Sequence, residues 1–345
     1  MNRKRLLYSL LLILLIVLVS SLITGLMISK KLSKSASSDN LWESKEKAMS
    51  HLMVIIDDSN QTYDESFEKG MYSVAERYHI AVEINRVDPS NYHQDVLDAL
   101  DKGKYAKVDG IVVHAYNDEA ILNKIIEIDE LGIPVIIIDE DVSKSPRICF
   151  VGVNQYDIGQ LAGEALAEIL DGKGKVALID QKSYSESLTG NEEMILLGFK
   201  DALKAFPELT LDVIKYTEQG VLSAETAATE VLRENKSINA FFCTEGGNTL
   251  GVAQVLIDNN LVGDMVLVGF GNETEIIEYI EKGNIIEASI ATDHEDIGKK
   301  IILAFHEYQT NHFVSSFINT DLQVVDENNV KTYLNEMSEI NGQTK

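Results

Sequence analysis

The sequence predicts an α/β protein of two doubly wound, parallel-sheet lobes, preceded by one N-terminal transmembrane helix. Three observations carry the prediction. Residues 6–28, LLYSLLLILLIVLVSSLITGLMI, form one unbroken apolar run that no later segment matches. From His51 onward, short Val- and Ile-rich runs alternate with amphipathic helical stretches. That alternation is the signature of parallel sheets covered by helices. The remaining chain, residues 35–345, is long enough to bury a large core, and domains of this size normally divide into two lobes.

The apolar run reaches ~34 Å as a helix, enough for a bilayer core of ~30 Å. A secretory signal has an apolar core of only ~7–15 residues and a small-residue cleavage site directly after it. Here the one such candidate, Ser35-Ala36-Ser37, lies well beyond the run, so an uncleaved anchor is expected. Arg3, Lys4 and Arg5 precede the run and Lys30, Lys31 and Lys34 follow it, so flanking charge does not set orientation. The short N-terminus favours an inside start and an exported body. Residues 35–49 read as a polar tether.

The predicted strands are 52–57, 80–87, 110–115, 133–139, 147–153, 175–180, 209–216, 238–243, 265–270 and 285–291. They are short and β-branched, as strands buried on both faces are. The clearest helix is 154–170, with Asn154 as N-cap, Asp157 in the first turn, and Gly172 just past its end. Its apolar stripe reads as Ile158, Leu161, Ala162, Ala165 and Ile169.

Charge narrows the function. Residues 1–34 hold six Lys/Arg and no acid, which leaves 24 basic against 55 acidic residues in the body, a net charge near −31. Such a surface repels nucleic acid. Cys149 and Cys243 sit inside apolar runs and read as buried, unpaired thiols. The seven histidines show no metal-ligand spacing, no P-loop or nucleophile elbow is present, and no cofactor is expected. An enzyme is therefore a distant alternative.

Several stretches occur in an order that resembles a known family: VDGIVVHAYNDEAI (108–121), LGIPVIIIDED (131–141), VGVNQYDIGQLAGEAL (151–166), GKGKVALI (172–179), LLGFKDAL (196–203), INAFFCTEGGNTLGVAQVL (238–256), MVLVGFGN (265–272) and IEASIATDHEDIG (286–298). They are similar to the type I periplasmic sugar-binding proteins, the ribose- and galactose-binding group, whose fold also forms the effector domain of LacI-type repressors. The resemblance implies a three-strand hinge near 152–153, 292–293 and 320–321. Lobe 1 would be 50–152 plus 293–320, lobe 2 would be 153–292 plus 321–336, and 337–345 a tail. A ligand would sit in the cleft, at the C-terminal ends of the strands. A repressor would carry a DNA-binding motif where this chain has its apolar run.

Candidate ligand residues follow from the match. Asp139 ends a strand, where the resemblance implies a carboxylate accepting from two ligand hydroxyls. Glu140 stands where an arginine is usual. Asp57 and Asp58 end the first strand, though an aspartate pair there is also ordinary turn chemistry, and Tyr63 matches a ring-stacking aromatic. Asn154 contacts ligand or only caps its helix. Glu193 replaces another arginine, with Glu192 the fallback. Glu245 replaces an asparagine, and Thr292 a glutamine or asparagine. Gly271 replaces an aspartate for which Asn272 compensates. Carboxylates that converge without a basic partner raise one another's pKa and suit a sugar, a polyol, an amino sugar or a cation. The expected role is an extracytoplasmic solute-binding protein serving an ABC sugar permease; the alternative is a tethered receptor signalling to a membrane sensor kinase.

Overall fold

The computed structural model describes residues 49–57, 65–115, 118–139, 141–142, 144–181, 190–218, 220–283 and 285–335, apart from the side chains of residue 89 and residues 190–193. Within Ser50–Lys345, which forms one unit, two six-stranded sheets account for the strands among the described residues. The first sheet uses β1 (Ser50–Asp57), β2 (Ile80–Val87), β3 (Gly110–His114), β4 (Val135–Ile138), β5 (Cys149–Gly152) and β11 (Phe317–Asn319), in the order β11-β5-β4-β3-β1-β2. The second uses β6 (Lys173–Gln181), β7 (Glu208–Thr217), β8 (Ala240–Cys243), β9 (Val266–Phe270), β10 (Ala288–Thr292) and β12 (Leu322–Asp326), in the order β12-β10-β9-β8-β6-β7.

Strand composition explains the layering. Leu52 to Ile56 of β1 are all fully buried, because alternate residues feed cores on opposite faces of the sheet. Each such side chain contributes roughly 1.5–3 kcal/mol of burial. The second sheet is likewise covered on both faces. Helices supply the cover: α1 (Glu65–Ala75), α2 (Tyr92–Ala106), α3 (Glu119–Glu130), α4 (Gln155–Ile169), α5 (Gly190–Leu203), α6 (Val221–Glu234), α7 (Gly246–Asp258), α8 (Thr274–Lys282) and α9 (His294–Asn311).

The sheets are parallel except at one edge, where β12 runs antiparallel to β10 and pairs Thr292 with Leu322. That pairing matters for the cleft. The chain leaves the first sheet after Gly152, at the C-terminal end of β5, and leaves the second after Thr292, at the C-terminal end of β10. It crosses again from Asn319 to Leu322, whose antiparallel strand starts beside Thr292. All three crossings therefore lie at C-terminal strand ends, so those edges of the two sheets face each other. Polar bonds tie the first and third crossings together: Thr320 N donates to Gly152 O (2.9 Å), and Asn154 N to Asn319 Oδ1 (3.0 Å).

Two helix pairs share a glycine device. A Cβ on Gly159 of α4 would fall 1.9 Å from Ile195 O of α5, and one on Gly198 of α5 would fall 2.0 Å from Tyr156 O of α4. In the first lobe, Gly70 of α1 and Gly298 of α9 stand in the same relation, at 2.1 Å from Glu295 O and 2.3 Å from Phe67 O. The helices that follow the first two crossings carry the same spacing: Asn154, Asp157, Ile158 and Gly159 in one, Asp293, Asp296, Ile297 and Gly298 in the other. Backbone-to-backbone packing also corrects the stripe read for α4. Its buried residues are Ile158, Gly159, Ala162, Gly163, Leu166 and Ala167, whereas Ile169 is 40% exposed. The buried face turns toward the glycines, which carry no hydrophobic signal. Cys149 and Cys243 are both free and buried, one in each sheet; burial pushes the Cys149 thiol up to about 12.

Among the described residues no helix is long and apolar enough to cross a membrane. The 6–28 run lies outside them.

Candidate functional site

The facing edges collect polar groups because a strand that is apolar on both sides must release its chain to solvent at its end. On the first sheet, β4, β3 and β1 are neighbours. Their ends bring together Asp57, 3% exposed, His114, 2% exposed, and Asp139. His114 pairs in register with Ile138, so the next residue of that chain, Asp139, comes within reach: Oδ2 lies 3.2 Å from His114 Nε2. Tyr92 packs beside His114. Its hydroxyl donates to the His114 carbonyl and its ring meets the imidazole edge-on at 6.1 Å. β4 stops at Ile138, one residue before the expected strand end, and Asp139 adopts φ 68°. Aspartate tolerates this left-handed conformation better than most residues. Its side chain stays 43% exposed at the edge.

The second sheet's edge is a hydrogen-bonded set: Asp180 near the end of β6, Thr217 ending β7, Thr244 just past β8, and Asn248 in the first turn of α7. All four are buried. Thr244 Oγ1 donates to Asp180 Oδ1 (2.5 Å). Thr217 Oγ1 lies 3.1 Å from Asp180 O and 2.9 Å from the Asn248 amide. One hydroxyl proton serves one acceptor. Thr217 therefore donates to Asn248 Oδ1, the nearer of the two, with the Asp180 carbonyl as the alternative acceptor.

The expected residues fall into distinct places. Asp57 and Asp139 lie on the first edge. Glu245, Asn272 and Thr292 lie on the second. Asn272 Nδ2 donates to Thr292 O (3.3 Å) and Tyr333 Oη (2.9 Å), joining two of them directly. Glu245 is exposed and makes no side-chain capping bond to the helix it precedes. Asn154 caps α4, its Oδ1 accepting from Tyr156 N (3.2 Å). Asp58, Tyr63 and Glu140 lie outside the described residues, as do the side chains of Glu193 and Glu192. Among the described residues no group of three or more His, Cys, Asp and Glu side chains could hold a metal ion.

Three groups escaped the sequence reading: His114, the Asp180 set, and Glu273. Asp180 had a signal. LMVIID, IPVIIID and KVALID each end an apolar run on aspartate. His114 amends the expectation of carboxylates without a basic partner, because Asp139 faces its imidazole. Arg86, near the end of β2, is engaged by Glu68 at 2.6 Å.

A family model described as periplasmic binding protein domain matches residues 52–311. The D-allose-binding periplasmic protein of Escherichia coli (strain K12) is 25% identical over 150 residues, 43% of this chain and 47% of that protein. The chain spans roughly half the length of the curated relatives it matches. GanP, a glucose-galactose binding protein from Geobacillus stearothermophilus, superimposes with a TM-score of 0.71 at 28% identity, covering 82% of this chain and 99% of that one. A chain of the XylFII-LytSN complex superimposes with a TM-score of 0.68 at 23% identity, over 81% and 99%.

Proposed function

The chain belongs to the periplasmic binding protein domain family, a family of binding proteins rather than enzymes, and from that premise we propose that it captures a sugar, polyol or amino sugar between its two lobes. The observation that carries this reading is the meeting of carboxylate, imidazole, hydroxyl and amide groups at C-terminal strand ends that all three crossings bring face to face. Charge-assisted bonds from hydroxyls to carboxylates are strong and directional, which suits a small hydroxyl-rich ligand. The ligands for which those relatives are named, D-allose and glucose-galactose, support the same class.

In this reading lobe 1 is 50–152 plus 293–320 and lobe 2 is 153–292 plus 321–336, and the lobes close on the ligand by hinge motion. Asp57, Asp58, Tyr63, Asp139, Glu140, Asn154, Glu193, Glu245, Asn272 and Thr292 supply the contacts. The protein works outside the cytoplasm, held to the membrane by the helix at about 6–28, as the substrate-binding component of an ABC sugar transporter. A second reading, a tethered receptor for a membrane sensor kinase, is favoured by one observation: the similar XylFII chain is in complex with another protein, LytSN.

The test is calorimetry and thermal shift with D-allose, D-glucose, D-galactose, arabinose, glucosamine and a polyamine. A saturable response to one sugar is the expected result; responses to none, or to the polyamine alone, would remove the sugar reading. Deletion of the gene then separates the roles: loss of sugar uptake supports transport, whereas intact uptake with loss of sugar-dependent transcription supports the receptor.

A further inference from the structure

The loop between β9 and α8 holds a carboxylate in an unusual seat. A Cβ added to Gly271 would lie 2.2 Å from Glu273 Oε2, and one added to Gly246 would lie 1.9 Å from Glu273 Oε1. The carboxyl thus fills a notch between the first residue of α7 and the end of β9, and any side chain at either position would displace it. Gly271 also has φ 110°, which glycine adopts freely. The notch lies on the C-terminal edge of the second sheet, the edge that faces the first lobe.

The seat is costly for the fold. Glu273 Oε2 is buried and has no hydrogen-bond partner among the described residues. Glu273 precedes α8, yet its side chain makes no capping bond to it. Burial pushes the carboxyl upward from its ordinary range. An acceptor left unsatisfied in a buried place weakens a protein, and groups held at such cost cluster where a molecule binds.

We propose that Glu273 is a ligand-contacting residue whose carboxyl accepts a hydrogen bond from a ligand hydroxyl or amine, and that Gly246 and Gly271 are glycines because they admit it to the cleft edge. The claim rests on the interlobe reading of the site and adds a contact to it.

The experiment compares full-length wild type, Glu273→Ala, Gly246→Ala and the double variant. Calorimetry uses D-allose, D-glucose, D-galactose and glucosamine, and ligand-free melting is followed in parallel. Glu273→Ala should weaken the sugar that wild type binds by about tenfold or more, the value of one charge-assisted bond. Its ligand-free melting temperature should equal or exceed that of wild type. Gly246→Ala, which expels the carboxyl, should weaken binding similarly, and the double variant should lose no more than Glu273→Ala alone. Unchanged affinity in Glu273→Ala, or a lower ligand-free melting temperature, would overturn the proposal, since the carboxyl would then be idle or structural. If wild type binds none of the four, and not arabinose either, the sugar reading fails. The melting comparison then decides Glu273 by itself: a lower value overturns its functional role, and an equal or higher value upholds it for a different ligand.

Discussion

Asp139 shows how neighbours set the surroundings of one residue. Its position past the strand, its φ of 68° and its approach to His114 hold a half-exposed carboxylate at the cleft edge. Each charged hydrogen bond is worth roughly 1.5–3 kcal/mol. Asp139→Ala should therefore weaken sugar binding by more than about a hundredfold if two such bonds are lost. The fold should be retained, because the side chain is not part of a core. Calorimetry beside a circular-dichroism spectrum checks both halves, and undiminished affinity would place Asp139 outside the pocket. Glu273 yields a pH prediction at the same scale. Burial raises its folded pKa above the unfolded value. The folded state then holds the proton more tightly, and the stability this confers is lost as pH rises from the ordinary carboxylate range through the folded pKa. Glu273→Gln should remove that loss. Urea titrations near pH 5 and pH 7 should show a flatter dependence than wild type, with the variant the more stable of the two at pH 7. A variant that tracks wild type at both values would show that the carboxyl does not titrate there.

At the scale of elements, the paired glycines set the distance between helices. Gly198→Ala and Gly298→Ala drive a methyl group into a facing backbone carbonyl, at 2.0 Å and 2.3 Å in the unrelaxed geometry. A backbone cannot rotate away as a side chain can, so each substitution should cost about 1–3 kcal/mol or more. Gly247→Ala is the control. Its nearest neighbour would be 3.9 Å away, inside α7, where alanine is favoured over glycine by ~0.5–1 kcal/mol. Urea midpoints rank the three variants, and a destabilised Gly247→Ala would refute the steric account.

For the whole molecule, Ser50–Lys345 forms one unit with its own cores. Residues 46–345 should therefore fold as a soluble monomer without the apolar run, with a melting curve matching that of the full chain. Recovery only as aggregate would contradict this. Cleft charge is also a property of the whole, because it sums contributions from both lobes. Glu193→Arg should weaken a cationic or amino-sugar ligand by tenfold or more while sparing a neutral sugar. Persistent tight binding of a cation would show that Glu193 does not face it.

Strand–helix alternation alone determined that the chain is α/β, and the order of VDGIVVHAYNDEAI, LGIPVIIIDED and VGVNQYDIGQLAGEAL pointed to its family. These were legible because hydrophobic periodicity is a local property, set by which face of an element leaves water. The ends of the apolar runs before Asp57 and Asp139 were legible for the same reason, whereas the ligand role expected of Asp139 came from the family match. Other features were decided only in three dimensions. The antiparallel β12, the contact of His114 with Asp139, and the notch that takes Glu273 all join residues far apart in the chain or hidden from hydropathy. Glycine carries no hydrophobic signal, so the faces of α4 and α5 that meet through Gly159 and Gly198 could not be read in advance. What a carboxylate does depends on whether its neighbours leave it in water, give it a donor or bury it unpaired, and only tertiary packing chooses among these.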